Sequence, residues 1–170
     1  MNKQLIAKLA IIVLGAVAGA AQAGTATSTF QVTMTITSSC AVTTAPTNIS
    51  LGSAVAQTAA VTNNSSNTFK VSCSNKTPFT VGLAPSNANT SGLGAMSGTG
   101  SNTDKVPYQL YSNSGLTTVW GNTIGTNTMA STGAGMAASK GVQFTAYAQA
   151  VNADFAPDSY ADTVTVNVNY

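Results

Sequence analysis

The chain has 170 residues, with six lysines and four aspartates but no glutamate, histidine or arginine. Because histidine is absent, neither a Ser-His-Asp triad nor a Cys-His nucleophile can be built, and we do not expect an enzyme. Only 6% of the residues are charged, against about a quarter in a typical soluble domain. Such a chain lacks the basic surface that nucleic-acid binding requires, and its low charge favours association with other protein surfaces.

Residues 1–23 have the pattern of a secretory signal peptide. Lys3 and Lys8 give the N-terminal region its positive charge, and the apolar run that follows, Leu9–Ala20, contains no charged residue. Ala21–Ala23 fits a small-x-small cleavage site. The apolar run is short for a membrane span of about 20 residues, so a retained anchor is the less favoured alternative. We expect cleavage, no stable membrane insertion afterwards, and an exported protein with four lysines and four aspartates.

The first segment after the predicted cleavage site, residues 24–39, is called the lead below. Within it, residues 30–37 alternate strictly between apolar and polar side chains, as in a half-buried β-strand. The apolar face consists of Phe30, Val32, Met34 and Ile36. A strand in this position can begin the sheet of its own chain or add to the sheet of a neighbouring molecule.

Two cysteines, Cys40 and Cys73, follow the lead. An even number of cysteines in an exported chain indicates a disulfide. Free thiols and metal ligands are the alternatives, but a metal site needs more ligands than two sulfurs and the chain has no histidine. We therefore expect no metal and no other cofactor.

Strand-like runs recur along the rest of the chain, and no long segment has helical periodicity. After the lead, strands are predicted at Thr68–Ser72, Phe79–Ala84, Val106–Tyr111, Val142–Ala148 and Thr163–Tyr170. Ser86–Thr103 and Asn127–Ser139 are polar and rich in glycine or asparagine, and we expect a loop or hairpin tip at each. Many short strands separated by turn signals indicate an all-β fold, a β-sandwich.

Two features between these strands could serve a ligand. Trp120 could stack on a sugar ring, although a tryptophan more often packs in a core or at its rim. Asp154, Asp158 and Asp162 could hold calcium, but they flank Pro157 in a turn that leads into a strand, where aspartates usually bond to local backbone.

The last predicted strand alternates as cleanly as the lead. Val164, Val166, Val168 and Tyr170 share its apolar face. An earlier part of the same chain could cover its edge. Otherwise the strand presents an open edge that invites pairing with another molecule.

The order and spacing of these segments resemble a known family. The resemblance is carried by the alternating lead, the last valine-rich strand, and the motifs Cys40–Val42, Phe69–Cys73, Val106–Tyr111 and Tyr160–Thr163. Together these resemble the spore coat protein U domain, a family that includes pilins of the archaic chaperone–usher pathway. The resemblance covers essentially all of residues 24–170.

The resemblance implies an incomplete immunoglobulin-like sandwich over residues 40–170 that is completed by an N-terminal strand donated from another subunit. It further implies that Cys40 and Cys73 form the family's disulfide. The implied donor residues are Phe30, Val32, Met34 and Ile36, and the implied wall of the acceptor groove is Val164, Val166, Val168 and Tyr170. The implied partners are a periplasmic chaperone, an outer-membrane usher and identical or related pilin subunits.

Three functions are therefore open. The first is a structural subunit of a surface pilus that serves adhesion and biofilm formation. The second is a spore or cell coat protein built from the same domain. The third is a monomeric secreted carbohydrate-binding module in which the lead folds back into its own sheet and Trp120 contacts the ligand.

Overall fold

The computed structural model describes residues 23–61 and 65–170. The predicted signal peptide, apart from its last residue, lies outside the described residues. The part of the chain up to Thr35 and the part from Ile36 to Tyr170 are two units, which are described separately. Within the described ranges, no helix has the length and apolar character needed to cross a membrane.

Residues 36–170 form two antiparallel sheets. The strands are β1 (Cys40–Thr44), β2 (Ser65–Cys73), β3 (Pro78–Pro85), β4 (Leu93–Ser97), β5 (Lys105–Tyr111), β6 (Met129–Thr132), β7 (Val142–Ala150) and β8 (Val164–Asn169). One sheet has the order β1-β2-β7-β5-β4, and the other has the order β6-β3-β8. A short 3₁₀ helix, Ala138–Lys140, precedes β7. The architecture is an immunoglobulin-like β-sandwich, and the predicted all-β class is confirmed.

An aromatic cluster fills the space between the sheets. The ring of Phe69 on β2 lies 6.0 Å from that of Trp120 and 5.7 Å from that of Phe144 on β7. Trp120 is only 1% exposed, and its Nε1 donates a 2.9 Å hydrogen bond to the carbonyl of Val81 on β3. The interpretation of Trp120 as a packing residue is confirmed, and the ring has no free face for a sugar.

Five of the six predicted strands occur in the sandwich with bounds close to those expected. The two predicted loops are wrong in part, because Ser86–Thr103 contains β4 and Asn127–Ser139 contains β6. Strand β4 lacks alternating large side chains because the ring of Tyr108 on β5 lies across Gly94. A Cβ at Gly94 would lie 2.1 Å from Cζ of Tyr108.

The lead forms no strand in the single chain. Residues 23–39 carry no strand assignment, and Phe30, Val32, Met34 and Ile36 are 87%, 87%, 82% and 77% exposed. The prediction of a strand at residues 30–37 is therefore wrong for the isolated molecule. Its alternation is preserved as an exposed apolar face, because none of the strands in the described part of the chain pairs with it.

Candidate partner-binding cleft

A cleft of about 1230 Å³ opens into the core of the sandwich. Strands β2, β3, β5 and β7 all supply core-facing side chains to it. Its apolar lining includes Phe69, Leu83, Tyr108, Leu110, Ala146 and Ala148. These residues belong to the main hydrophobic cluster, so the cleft reaches the core itself.

Small side chains on β7 leave the space that the cleft occupies. Ala146, Ala148 and Ala150 alternate along the strand and all point inward, being 3–4% exposed. An inward-facing valine or leucine at these positions would fill much more volume. The row of alanines therefore leaves room above β7 for the side chains of another segment.

Strand β8 borders the cleft with a free edge. It pairs with β3 from Thr80↔Asn169 to Pro85↔Val164, and among the described residues no strand pairs with its other edge. Its unpaired backbone groups can accept another strand. Of the two alternatives that the sequence left open for the last strand, the described residues show the open edge, with the cleft next to it.

The four predicted groove residues of β8 do not share one environment. Val164 and Val166 line the cleft, and Val168 packs against the core cluster. Tyr170 is 61% exposed and borders a separate shallow apolar depression together with Pro78. The structure thus places two of the four in the cleft, a third beside the core and the fourth elsewhere.

The segment from Pro46 to Ala56, which the sequence analysis did not single out, also lines the cleft. Side-chain hydrogen bonds from β2 hold this segment in place. Asn67 Nδ2 donates to the carbonyl of Thr47 at 2.8 Å, and Ser65 Oγ accepts from the backbone N–H of Ser50 at 3.2 Å. Oδ1 of Asn67 is buried without a partner, so one polar acceptor remains unused at the cleft wall.

A partly buried hydrogen bond joins two residues of the cleft lining. The hydroxyl group of Tyr108 donates to Asp162 Oδ2 at 2.7 Å. Burial raises the pKa of Tyr108 far above its usual value, and the bond to Asp162 and the charge of Asp162 add to the rise. Burial by itself raises the pKa of Asp162, but hydrogen bonds from Ser86, Tyr108 and the backbone of Thr163 outweigh it and lower the pKa. Asp162 is therefore a charged acceptor that joins the start of β8 to β5.

The predicted disulfide between Cys40 and Cys73 is present. It pairs the first residue of β1 with the last residue of β2. Ser39 is held beside it, because its N–H donates to Ser74 Oγ at 3.0 Å and its carbonyl accepts from the Ser74 N–H at 2.9 Å. The Ser74 hydroxyl group also donates to the Ser39 carbonyl at 3.3 Å. The base of the lead is consequently held to the sandwich by three hydrogen bonds and by the disulfide at the next residue, Cys40.

The aspartates act as structural acceptors. Asp158 accepts from the Thr99 N–H at 2.7 Å, from Asn102 Nδ2 at 2.8 Å and from the Thr99 hydroxyl group. Hydrogen bonds from Thr99, Asn102 and Ser159 lower its pKa well below the usual range. Among residues 23–61 and 65–170, no three histidine, cysteine or acidic side chains come together to hold a metal ion.

Comparison with known proteins identifies the family. The model of the Spore Coat Protein U domain matches residues 26–167, and the chain therefore belongs to this family. The resemblance seen in the sequence is confirmed. No curated protein matches the chain.

Among solved structures, the chain is similar to one chain of the CsuC–CsuE chaperone–tip adhesion subunit pre-assembly complex from the archaic chaperone–usher Csu pili of Acinetobacter baumannii. The identity is 21% and the TM-score is 0.49. The match covers 80% of the present chain and 41% of the other. The present chain thus spans less than half of that protein.

Proposed function

We propose that this protein is the repeating structural subunit of a surface pilus, assembled by donor-strand exchange. The observation that carries the proposal is the cleft beside the free edge of β8, which reaches core side chains such as Phe69 and Leu110. Membership of the Spore Coat Protein U domain family supports it. In this proposal, the lead of one subunit fills the cleft of the next.

The lead has the chemistry that the cleft requires. Its four alternate apolar side chains are exposed by 77–87%, and pairing with β8 would turn all four toward one face. Burial of four such side chains contributes roughly 6–12 kcal/mol, at about 1.5–3 kcal/mol each. Ordering the backbone of the lead offsets part of this gain.

The geometry of the exchange produces a fibre. The lead and the cleft are different surfaces of one chain, so each contact is heterologous. Such contacts grow into open filaments unless the rotation between subunits closes a ring. A fibre of such subunits on the cell surface would serve the proposed roles in adhesion and biofilm formation.

Partners and location follow from the same proposal. A subunit with an exposed core and a free strand edge needs protection before assembly, which a periplasmic chaperone would provide by occupying the cleft. An outer-membrane usher would then exchange the chaperone for the lead of the next subunit. The protein would pass through the periplasm to the cell surface.

The proposal is tested on material sheared from cells, separated on a denaturing gel with and without heating, and immunoblotted. Strand-linked polymers give a ladder that collapses to one band on heating. Replacing Met34 with Asp places a charge on the apolar face of the lead and should abolish the ladder. Thr35→Asp, on the polar face, is the matched control and should keep it.

Three results would redirect the proposal. A single monomer band for the unmodified protein would exclude strand-linked polymers and favour a secreted module. A ladder that persists in a variant lacking residues 24–37 would overturn the donor assignment. An amorphous coat or lattice around cells, without fibres, would favour the coat-protein alternative.

A further inference from the structure

The aspartates lie at one end of the sandwich and most of its lysines lie at the other. The inference drawn from this separation rests on the proposed function. The strand registers define the two ends. Val71 pairs with Val142, so β2 ends where β7 begins. Tyr108 pairs with Ala150 near the other end, where β7 ends and β5 begins.

The acidic end is the end where β7 stops and β5 and β8 start. Asp104 immediately precedes β5, and Asp154, Asp158 and Asp162 lie between β7 and β8. These four aspartates are all the acidic side chains of the chain. One lysine, Lys105, is also at this end, where its Nζ donates to Ser97 Oγ at 2.7 Å.

The basic end is the opposite end, where β2 stops and β3 and β7 start. Lys76 lies in the turn between β2 and β3, Lys140 lies in the 3₁₀ helix just before β7, and Lys70 lies three residues before the end of β2. Lys76 and Lys140 are exposed. A carboxyl group at Tyr170, at the end of β8, would still leave this end with net positive charge.

The lead leaves the sandwich at the basic end. Its last fixed residue, Ser39, is bonded to Ser74 beside the turn that carries Lys76. If the pairing segment ends at Ile36, only Thr37 and Ser38 separate the paired lead from the fixed point. Three Cα–Cα steps of 3.80 Å span at most about 11 Å, so the neighbouring subunit must lie directly against the basic end.

The acidic end contributes to the wall of the cleft. Asp158, Asp162 and most other residues of the loop between β7 and β8 belong to its lining. A lead that runs antiparallel to β8 enters from the basic end of the acceptor and leaves at its acidic end. A lead that runs parallel to β8 would instead bring two basic ends together.

We propose that neighbouring subunits make a second contact, in which the basic end of one copy, bearing Lys76 and Lys140, meets the acidic end of the next copy, bearing Asp154 and Asp158. Opposite charges favour this arrangement and like charges oppose the reverse one. Exposed charge pairs are weak one by one. Their main effect is to orient the approaching subunit, and this effect declines as salt shortens the screening length.

The test uses assembled fibres and a carbodiimide, which joins a lysine amine to a carboxyl group as an amide with loss of water. Because the reagent adds no spacer, only touching groups react. We expect treated fibres to keep dimer and higher bands after heating. Mass spectrometry should identify Lys76 or Lys140 of one copy joined to Asp154 or Asp158 of another.

Matched variants separate the two ends. Lys76→Asn combined with Lys140→Gln should remove the heat-resistant bands, and asparagine suits the positive φ of 63° at position 76. Lys105→Gln removes a lysine from the acidic end and should leave the bands unchanged. Both variants should still give the unheated ladder before treatment.

The outcomes distinguish the inference from the proposed function. An unheated ladder without heat-resistant bands, or with links through Lys105 alone, would overturn the end-to-end contact and leave donor-strand exchange standing. The absence of any unheated ladder from the unmodified protein would overturn both.

Discussion

The lead and strand β8 have the same sequence pattern and different structures. Both alternate apolar and polar side chains without interruption, over residues 30–37 and 163–170. Strand β8 pairs with β3 and turns three valines toward the core, whereas the lead has no strand assignment and exposes its apolar face. Alternation therefore indicates which side chains can be buried, and the availability of a neighbouring strand decides whether they are.

The largest effect is expected from a substitution that weakens the sandwich around β8 and leaves the lead unchanged. Trp120→Ala removes a buried ring and its hydrogen bond to Val81 on β3, the sole neighbour of β8 within the described residues. We expect a loss of about 3–5 kcal/mol in the free energy of unfolding. Chemical denaturation of the exported protein, followed by circular dichroism, measures it.

Trp120→Phe is the control, because it keeps most of the volume and should lose less. Equal stability of Trp120→Ala and the unmodified protein would contradict the assignment of this ring to the core.

The disulfide lies where the lead meets the sandwich, because Cys40 directly follows the lead and is bonded to Cys73 at the end of β2. Cys40→Ser opens a covalent loop with a sequence separation of 33 residues. The chain-entropy model gives a loss of roughly 3–4 kcal/mol. We expect a lower periplasmic yield and an earlier denaturation midpoint.

Combining Cys40→Ser with Cys73→Ser should cost no more than the single change, since one bond is lost in both. An additional loss in the double variant would show that Cys73 stabilises the fold in another way.

Asp162 tests the start of β8 through pH. Its pKa is lowered in the folded chain, so its charged form stabilises the fold above the unfolded pKa of about 3.9 and the contribution is lost as pH falls through the folded pKa. Asp162→Asn should cost about 1–2 kcal/mol at neutral pH, at the lower part of the range for hydrogen bonds to charged groups because the site is partly exposed.

The same substitution should flatten the loss of stability below about pH 4, as measured by denaturation at several pH values. Asp154→Asn, at an exposed position, is the control. If Asp162→Asn lost stability at low pH as steeply as the unmodified protein, Asp162 would be excluded as the cause of that loss.

The smallest effect on folding is expected in the lead. Val32→Thr removes apolar surface from a side chain that is 87% exposed, so the free energy of unfolding of the single chain should change by less than about 0.5 kcal/mol. The inward Val166→Thr on β8 is the matched change and should cost more. Equal losses would mean that Val32 is buried in the isolated molecule.

The sequence predicted strands where large apolar residues alternate, as in Phe79–Ala84 and Val106–Tyr111. It did not predict β1, β4 and β6, whose short sequences owe their pairing to neighbours rather than to their own pattern. Alternation placed Val164 and Val166 on the apolar face of the last strand. Their role as cleft residues came only from what the family resemblance implies. Segment 46–56 could not be identified from the sequence, because it is placed by hydrogen bonds from Asn67 and Ser65 that no local pattern records.

The row of alanines on β7 is a partial exception. The alternation of Ala146 and Ala148 with larger residues lies within the predicted strand Val142–Ala148, and the same alternation continues to Ala150. A row of small inward side chains leaves space between the two sheets unless larger side chains of the opposite sheet fill it. That signal becomes specific only once the strand order shows that β8 has a free edge.

The position of the disulfide has a mechanical consequence. Tension applied to the lead reaches Cys40 before any other residue of β1, and the covalent bond passes it at once to Cys73 on β2. Strand β2 lies inside the larger sheet, paired on both sides with β1 and β7. A pull is therefore shared among many ladder hydrogen bonds in shear, and the edge strand cannot be peeled away one bond at a time.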